Sequence, residues 1–240
     1  MGIDYTKRPS SGGQPARQPG EGQRPAAGTP VSLSKVTLTK SAPSVSLTKQ
    51  GSVGGTMRVN LNWNALPAGT PASGGFFKRA MRGGGAIDLD LGCLYEFSDG
   101  TKGAVQALGN AFRDRNKFGA EALIWLDGDD RSGTNQAGEN LYINLNDVSK
   151  IRRIMVYAFI YEGVANWAAA DGVVTLFPVA GPQIEVRLGE HGSNSGMCGI
   201  AMLENNGAEL SVRREVRYVA GHRELDQAYG WGMNWTSGRK

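Results

Sequence analysis

Apolar and polar positions alternate with a period of two through most of this chain, and that period is the signature of strands with one buried face. Met57-Arg-Val-Asn-Leu-Asn-Trp63 alternates strictly, placing Met57, Val59, Leu61 and Trp63 on one side. Ala86–Phe97 repeats the pattern as AIDLDLGCLYEF, with Asp88 and Asp90 sharing a side about 7 Å apart. Ala122–Leu126, Leu141–Leu145, Val173–Pro178 and Gln183–Leu188 read as further strands. Val105–Phe112 reads as a strand or short helix, and Asp147–Lys150 as one helical turn. The most continuously apolar run, Ile151–Tyr161, has the composition of a central strand covered on both faces. Met197–Leu203 and Glu209–Val219 flank Asn205-Asn-Gly207, a strong hairpin signal. On the last strand, Arg213, Glu215 and Arg217 give one largely charged face. The closing HRELDQAYGWGMNW begins as a helical turn and ends in aromatics suited to covering the domain.

Near the start, Val31–Lys35, Val36–Lys40 and Val45–Lys49 repeat the pattern V-[ST]-L-[ST]-K, each unit long enough for one edge strand closed by a lysine. Together these segments predict nine or ten strands, no sustained helical pattern, and an all-β fold: a β-sandwich of two packed, mostly antiparallel sheets. Residues 1–30 lie outside it. They are rich in Gly, Pro, Gln, Ser and Arg and poor in large apolar side chains, so a disordered leader is expected. The expected domain spans 31–240.

Charge changes the picture in one respect. The net +4 of the 240 residues is uneven. Residues 1–50 hold seven Lys and Arg against two acids, whereas 51–240 hold nineteen against twenty. The folded part therefore has no electrostatic case for nucleic acid. No apolar run reaches the length of a membrane span and no charged-then-apolar leader opens the sequence, so a cytoplasmic protein is expected. Cys93 and Cys198 sit in apolar settings without CxxC spacing and read as buried thiols. His191 and His222, the two histidines, have no nucleophile motif around them.

The chemistry concentrates in WLDGDDRSGTNQAGENLYINL, Trp125 to Leu145, which holds Asp127, Asp129, Asp130 and Glu139 with Asn135, Gln136 and Asn140 as neutral oxygens. Arg131 is the single basic residue among them. Carboxylates this dense repel unless a cation lies between them, and a hard, oxygen-seeking ion such as Ca²⁺ suits the donors. Asp88 and Asp90 supply a second acidic stretch on a strand otherwise made of Ile, Leu and Cys. The two stretches can converge only if their segments meet at one end of the sandwich. An isolated acidic loop would otherwise read as solvated surface.

The order IDLDLGCLYEF, DGDDRSG…GENLYINL, VSKIRRIMVYAFIYEG resembles the tellurium-resistance TerD family, as do the SLSK/SLTK leader, VNLNW and LENNGAELSVRREVRYVAG. The resemblance runs over 31–240. It implies a calcium-binding β-sandwich with acidic loops at one end, a non-enzymatic stress-response role, and partners among other Ter-type proteins, at the inner membrane surface or in the cytoplasm. Carried over residue by residue, it assigns metal ligation to Asp88, Asp90, Asp129, Asp130, Ser132, Gly133 and Glu139. Two departures stand out: Ala86 replaces a further Asp of the family, and Thr134–Gly138 is shorter and almost uncharged, which implies one full site and a weakened second.

Two other readings compete. A metal-dependent hydrolase would use the same acids for two-metal chemistry. A calcium-dependent carbohydrate- or lipid-headgroup-binding module would use Trp63, Trp167, Trp231 and Trp235 for stacking, although tryptophans at strand ends more often belong to a core or its cover.

Overall fold

Strand periodicity translates into two six-stranded sheets in the computed structural model, which describes residues 35–52, 54–64, 87–128, 138–163, 167–189 and 193–236. All of these fall within one unit, 32–240. The strands are β1 Lys35–Thr37, β2 Ser44–Ser46, β3 Thr56–Asn62, β4 Asp88–Phe97, β5 Lys102–Gln106, β6 Ile124–Leu126, β7 Glu139–Asn144, β8 Ile151–Glu162, β9 Val173–Phe177, β10 Gln183–Arg187, β11 Met197–Asn205 and β12 Leu210–Val219. Sheet one runs β1-β10-β9-β3-β7-β6 and sheet two β2-β12-β11-β8-β4-β5. Every named pairing is antiparallel except β1 with β10.

The V-[ST]-L-[ST]-K repeat has a structural meaning. Its second unit forms β1 on the edge of sheet one and its third forms β2 on the edge of sheet two. Each turns its leucine, Leu38 or Leu47, into the core between the sheets, with Val36 and Val45 packed beside it. The first unit lies outside the described residues, except Lys35. The longer segments give the nine or ten strands, and the two edge strands expected from the repeat, three residues each, bring the number to twelve.

Between the sheets, Met57, Val59 and Leu61 of β3 and Leu141 and Ile143 of β7 meet Leu89, Leu91 and Cys93 of β4 and Ile154 and Val156 of β8. A second apolar cluster covers the opposite face of sheet two. There Leu94, Met155, Tyr157, Phe159, Met197 and Met202 pack under Leu225 and Trp231. Leu225 belongs to a helix, His222–Tyr229 (α2), longer than the single turn the sequence suggests; a four-residue helix, Trp167–Ala170 (α1), went unread. Sheet two is thus covered on both faces, which is why all ten residues of β4 are buried and why β8 reads as a continuous apolar run.

The Val105–Phe112 stretch divides into β5 and a 3₁₀ turn at Leu108–Asn110. Bridges Gln106↔Ala111 and Arg113↔Trp125 then link the outer edges of β5 and β6. The Asp147–Lys150 turn is 3₁₀ at Val148–Lys150, with the Asp147 side chain accepting from Ser149 N–H. Strand β12 departs from strict alternation. Its register with β11 shifts between Gly199 and Ala201, Val216 has φ +44°, and Arg214 turns into a buried position, so the charged face of this strand is interrupted.

Candidate metal centre

One pole of the sandwich collects the acidic segments. Strand β3 ends there, β4 and β7 begin there, and β8 ends there, because Leu61 pairs with Glu139 and Asp88 with Glu162. Strand β6 also points to this pole: Leu126 pairs with Leu141, and Asp127 N–H donates to Asn140 C=O at 3.2 Å. The acidic stretch therefore leaves β6 and re-enters β7 next to the start of β4. Trp63 joins the two sheets here, its indole N–H donating to Ile87 C=O at 2.9 Å.

Three of the candidate carboxylates are described, and all are buried: Asp88, Asp90 and Glu139 at 9%, 0% and 3% exposure. Glu139 reaches from sheet one to sheet two, where its Oε2 accepts the Leu91 N–H at 2.6 Å. That contact fills a gap in the ladder, since pairing of β4 with β5 begins only at Gly92. Gly138 makes the approach possible. Its φ is +66°, and a Cβ there would sit 2.1 Å from Leu61 C=O, a distance no side chain tolerates. Asp90 lies on the outer face of sheet two in line with Gly92, where its charge helps to push the Tyr157 hydroxyl, already raised by burial, further above its ordinary value. Asp88 shares that face by alternation. It stands opposite Glu162 across the β4–β8 pair, an arrangement of like charges that costs stability without a counter-ion. Glu162 was not singled out from the sequence; only register could reveal it.

Asp129, Asp130, Ser132 and Gly133 lie outside the described residues, as do Ala86, Arg131, Asn135 and Gln136. Among the described residues no group of three or more His, Cys, Asp or Glu is placed to hold a metal ion. Register brings Asp88, Asp90 and Glu139 to the same pole from two sheets, Glu139 from between the sheets and Asp88 and Asp90 from the outer face of sheet two, so these three do not make a metal site by themselves. Their donors are hard oxygens, the chemistry that Ca²⁺ selects.

Asp127 belongs to a different arrangement. Its Oδ2 accepts from Asn140 Nδ2 at 3.0 Å and from Tyr142 OH at 3.3 Å on the outer face of sheet one, so it serves as a surface hydrogen-bond acceptor. The four tryptophans considered for sugar stacking are all engaged. Trp167 and Trp231 are fully buried, with indole N–H groups on Ser195 C=O and Tyr95 C=O; Trp235 donates to Asp226, and Trp63 holds Ile87. Cys93 and Cys198 are buried free thiols, and burial pushes both well above the ordinary thiol range. His222 packs among Tyr157, Phe159 and Trp235, where burial lowers its pKa to about 4, while His191 lies outside the described residues.

No helix among the described residues is long and apolar enough to cross a membrane. No family model matches the chain. It is 44% identical over 210 residues to the tellurium resistance protein TerA of Alcaligenes sp., an alignment covering 88% of this chain and 60% of that protein, so the chain spans less than two thirds of the relative's length. Among solved structures, a crystal structure of a protein of unknown function, SAV2460, superposes with TM-score 0.51 at 15% identity, over 76% of this chain and 99% of the other. A homologue of the telluride resistance protein TerD from Streptomyces coelicolor A3(2) gives TM-score 0.48 at 19% identity, over 72% of this chain and 95% of the other. The first superposition agrees with the two-sheet fold, and the 44% identity makes this chain a relative of the tellurium resistance protein TerA over the part they share, in keeping with the resemblance read from the sequence.

Proposed function

We propose that this chain is a tellurium-resistance protein of the TerD type, a non-enzymatic, calcium-binding stress-response module that acts as a scaffold for other Ter-type proteins in the cytoplasm or at the inner membrane surface. The observation that carries the calcium reading is the burial of Asp88, Asp90 and Glu139 at the pole where the acidic stretch leaves β6 and re-enters β7. Burying carboxylates together is costly unless a cation neutralises them. Asp88, Asp90 and Glu139 would contribute from the two sheets, and Asp129, Asp130, Ser132 and Gly133 of the acidic stretch would supply the remaining ligands. Bound there, a calcium ion would supply cross-linking charge between two sheets.

The experiment is calorimetric titration of the metal-free protein with Ca²⁺, alongside Asp88→Ala, Asp130→Ala and Glu139→Gln. The reading requires uptake by the wild-type protein and at least a tenfold weaker affinity in each variant. A wild-type protein that takes up no calcium ends it. Panels of phosphoester substrates, assayed with the metal present, are expected to show no turnover, and metal-dependent hydrolysis would favour the enzymatic reading instead.

A further inference from the structure

The outer face of sheet one carries two ordered rows of side chains that the metal centre does not use. In the first row, direct cross-strand register lines up Trp125 of β6, Tyr142 of β7, Arg58 of β3 and Phe177 of β9. The Trp125 and Tyr142 rings stack with centroids 5.4 Å apart and planes 14° off parallel. Beyond them the Arg58 guanidinium lies 3.9 Å from the centre of the Phe177 ring. All four are part-exposed, and none belongs to either apolar core.

The second row lies one strand repeat away, about 7 Å along the strands. It runs from Asp127, beyond the end of β6, through Asn140 and Asn60 to Thr175 and Glu185. Hydrogen bonds lock its polar groups. Arg58 Nη1 and Asn60 Nδ2 both donate to Asn140 Oδ1 at 3.0 Å, and Asn140 Nδ2 donates to Asp127. An aromatic rail thus runs beside a fixed rail of amides and carboxylates, each crossing strands about 4.8 Å apart. Side chains already held in one arrangement lose less rotamer entropy when a ligand docks on them.

We infer that this face binds a linear, neutral oligosaccharide. The apolar faces of pyranose rings would lie against the Trp125–Tyr142 ridge and the Arg58–Phe177 stack, with hydroxyls on Asp127, Asn140 and Asn60. Single-stranded nucleic acid also stacks on aromatics, but it needs a basic groove for its backbone; here Glu185 is paired with Lys35 and Arg187, and Asp127 offsets Arg58, so the face is close to neutral and suits a neutral ligand. The four buried or hydrogen-bonded tryptophans play no part in this surface.

The test is calorimetry and tryptophan fluorescence of the full chain against soluble β-linked glucose, xylose and N-acetylglucosamine oligomers, in chelator, with oligo-dT as the competing probe. At least one neutral oligomer is expected to bind with the calcium site empty, so failure of the metal reading would leave this result standing. Trp125→Ala is expected to weaken that binding tenfold or more and Asp127→Asn about fivefold, while both variants keep the wild-type melting temperature within a few degrees. Binding of oligo-dT in place of sugars, no binding across the sugar panel, or affinity unchanged in the well-folded Trp125→Ala variant would each overturn the inference.

Discussion

His222 shows how far a single side chain can tie stability to pH. Its Nε2 meets Gln106 Oε1 at 2.7 Å, and the same oxygen accepts the Tyr157 hydroxyl, so the histidine serves as an Nε2–H donor in its neutral form. The ring is enclosed by Tyr157, Phe159 and Trp235, and burial lowers its pKa from 6.5 to about 4. As pH falls below 6.5 the unfolded chain takes up a proton that the native site refuses until about pH 4. Stability from this group is therefore complete above pH 6.5 and lost through that window, by an amount on the order of 3 kcal/mol at 1.36 kcal/mol per unit. Urea midpoints at pH 7 and 4.5 should show the loss, and the difference between the two pH values should shrink in His222→Gln whatever that variant's absolute stability. Gly138 is a second decisive position. Gly138→Ala demands a left-handed alanine with its methyl against Leu61 C=O, and a destabilisation of about 2–4 kcal/mol is expected from the same measurement. If it melts like wild type, the backbone there is not held as described.

At the scale of elements, the C-terminal helix and the turn after it are fastened to sheet two by one buried carboxylate. Glu96, 2% exposed, accepts from Arg152 at 2.6 Å and from Arg153 Nε at 2.7 Å. Arg153 then donates to Tyr229 C=O and Gly230 C=O, where α2 ends, and its guanidinium stacks 3.9 Å from the Trp231 ring centre. Asp226 ties the chain beyond the helix, accepting from Gly232 N–H, Met233 N–H and the Trp235 indole. Removing Arg153 strips a buried carboxylate of one partner and the helix end of its donor, while Arg152 and Lys102 remain near Glu96. Arg153→Ala should cost about 2–3 kcal/mol and raise amide exchange in α2 ahead of the strands. Uniform exchange would mean that the helix opens only with the whole sheet. This fastening explains what the sequence conceals. Alternation placed β3, β4 and the late hairpin well because each has a buried face that repeats every second residue. It could not show that HRELDQAY extends to a full helix, because the partners that hold it, Arg153 and Gly199 under Leu225, lie on β8 and β11. The bulge at Val216 and the pairing of Asp88 with Glu162 are equally matters of register, which no single strand's pattern contains.

For the whole molecule, the question is what an acidic pole does to a sandwich whose sheets meet there. Asp88 and Asp90 were legible because two carboxylates interrupt an apolar strand, and Glu139 because it opens the next one after a glycine. That Glu139 crosses to accept the Leu91 N–H was not legible, since it depends on β5 ending at Gln106, opposite Gly92 and one residue short of Leu91. This crossing separates two contributions to stability. In the metal-free protein Glu139→Gln keeps an oxygen for Leu91 and removes one negative charge from the pole, so its melting temperature should equal or exceed that of wild type. With calcium the order should reverse. A ligand at one hundred times its Kd adds about 2.7 kcal/mol, worth roughly 5–10 °C in a domain of this size, and a tenfold weaker variant forfeits about half of it. Melting curves of both proteins, in chelator and in excess calcium, supply the comparison. A crossing of the two orders is expected if the carboxylate belongs to a cation, whereas a variant that melts lower by the same margin in both conditions would make Glu139 a hydrogen-bond acceptor for β4 and nothing more.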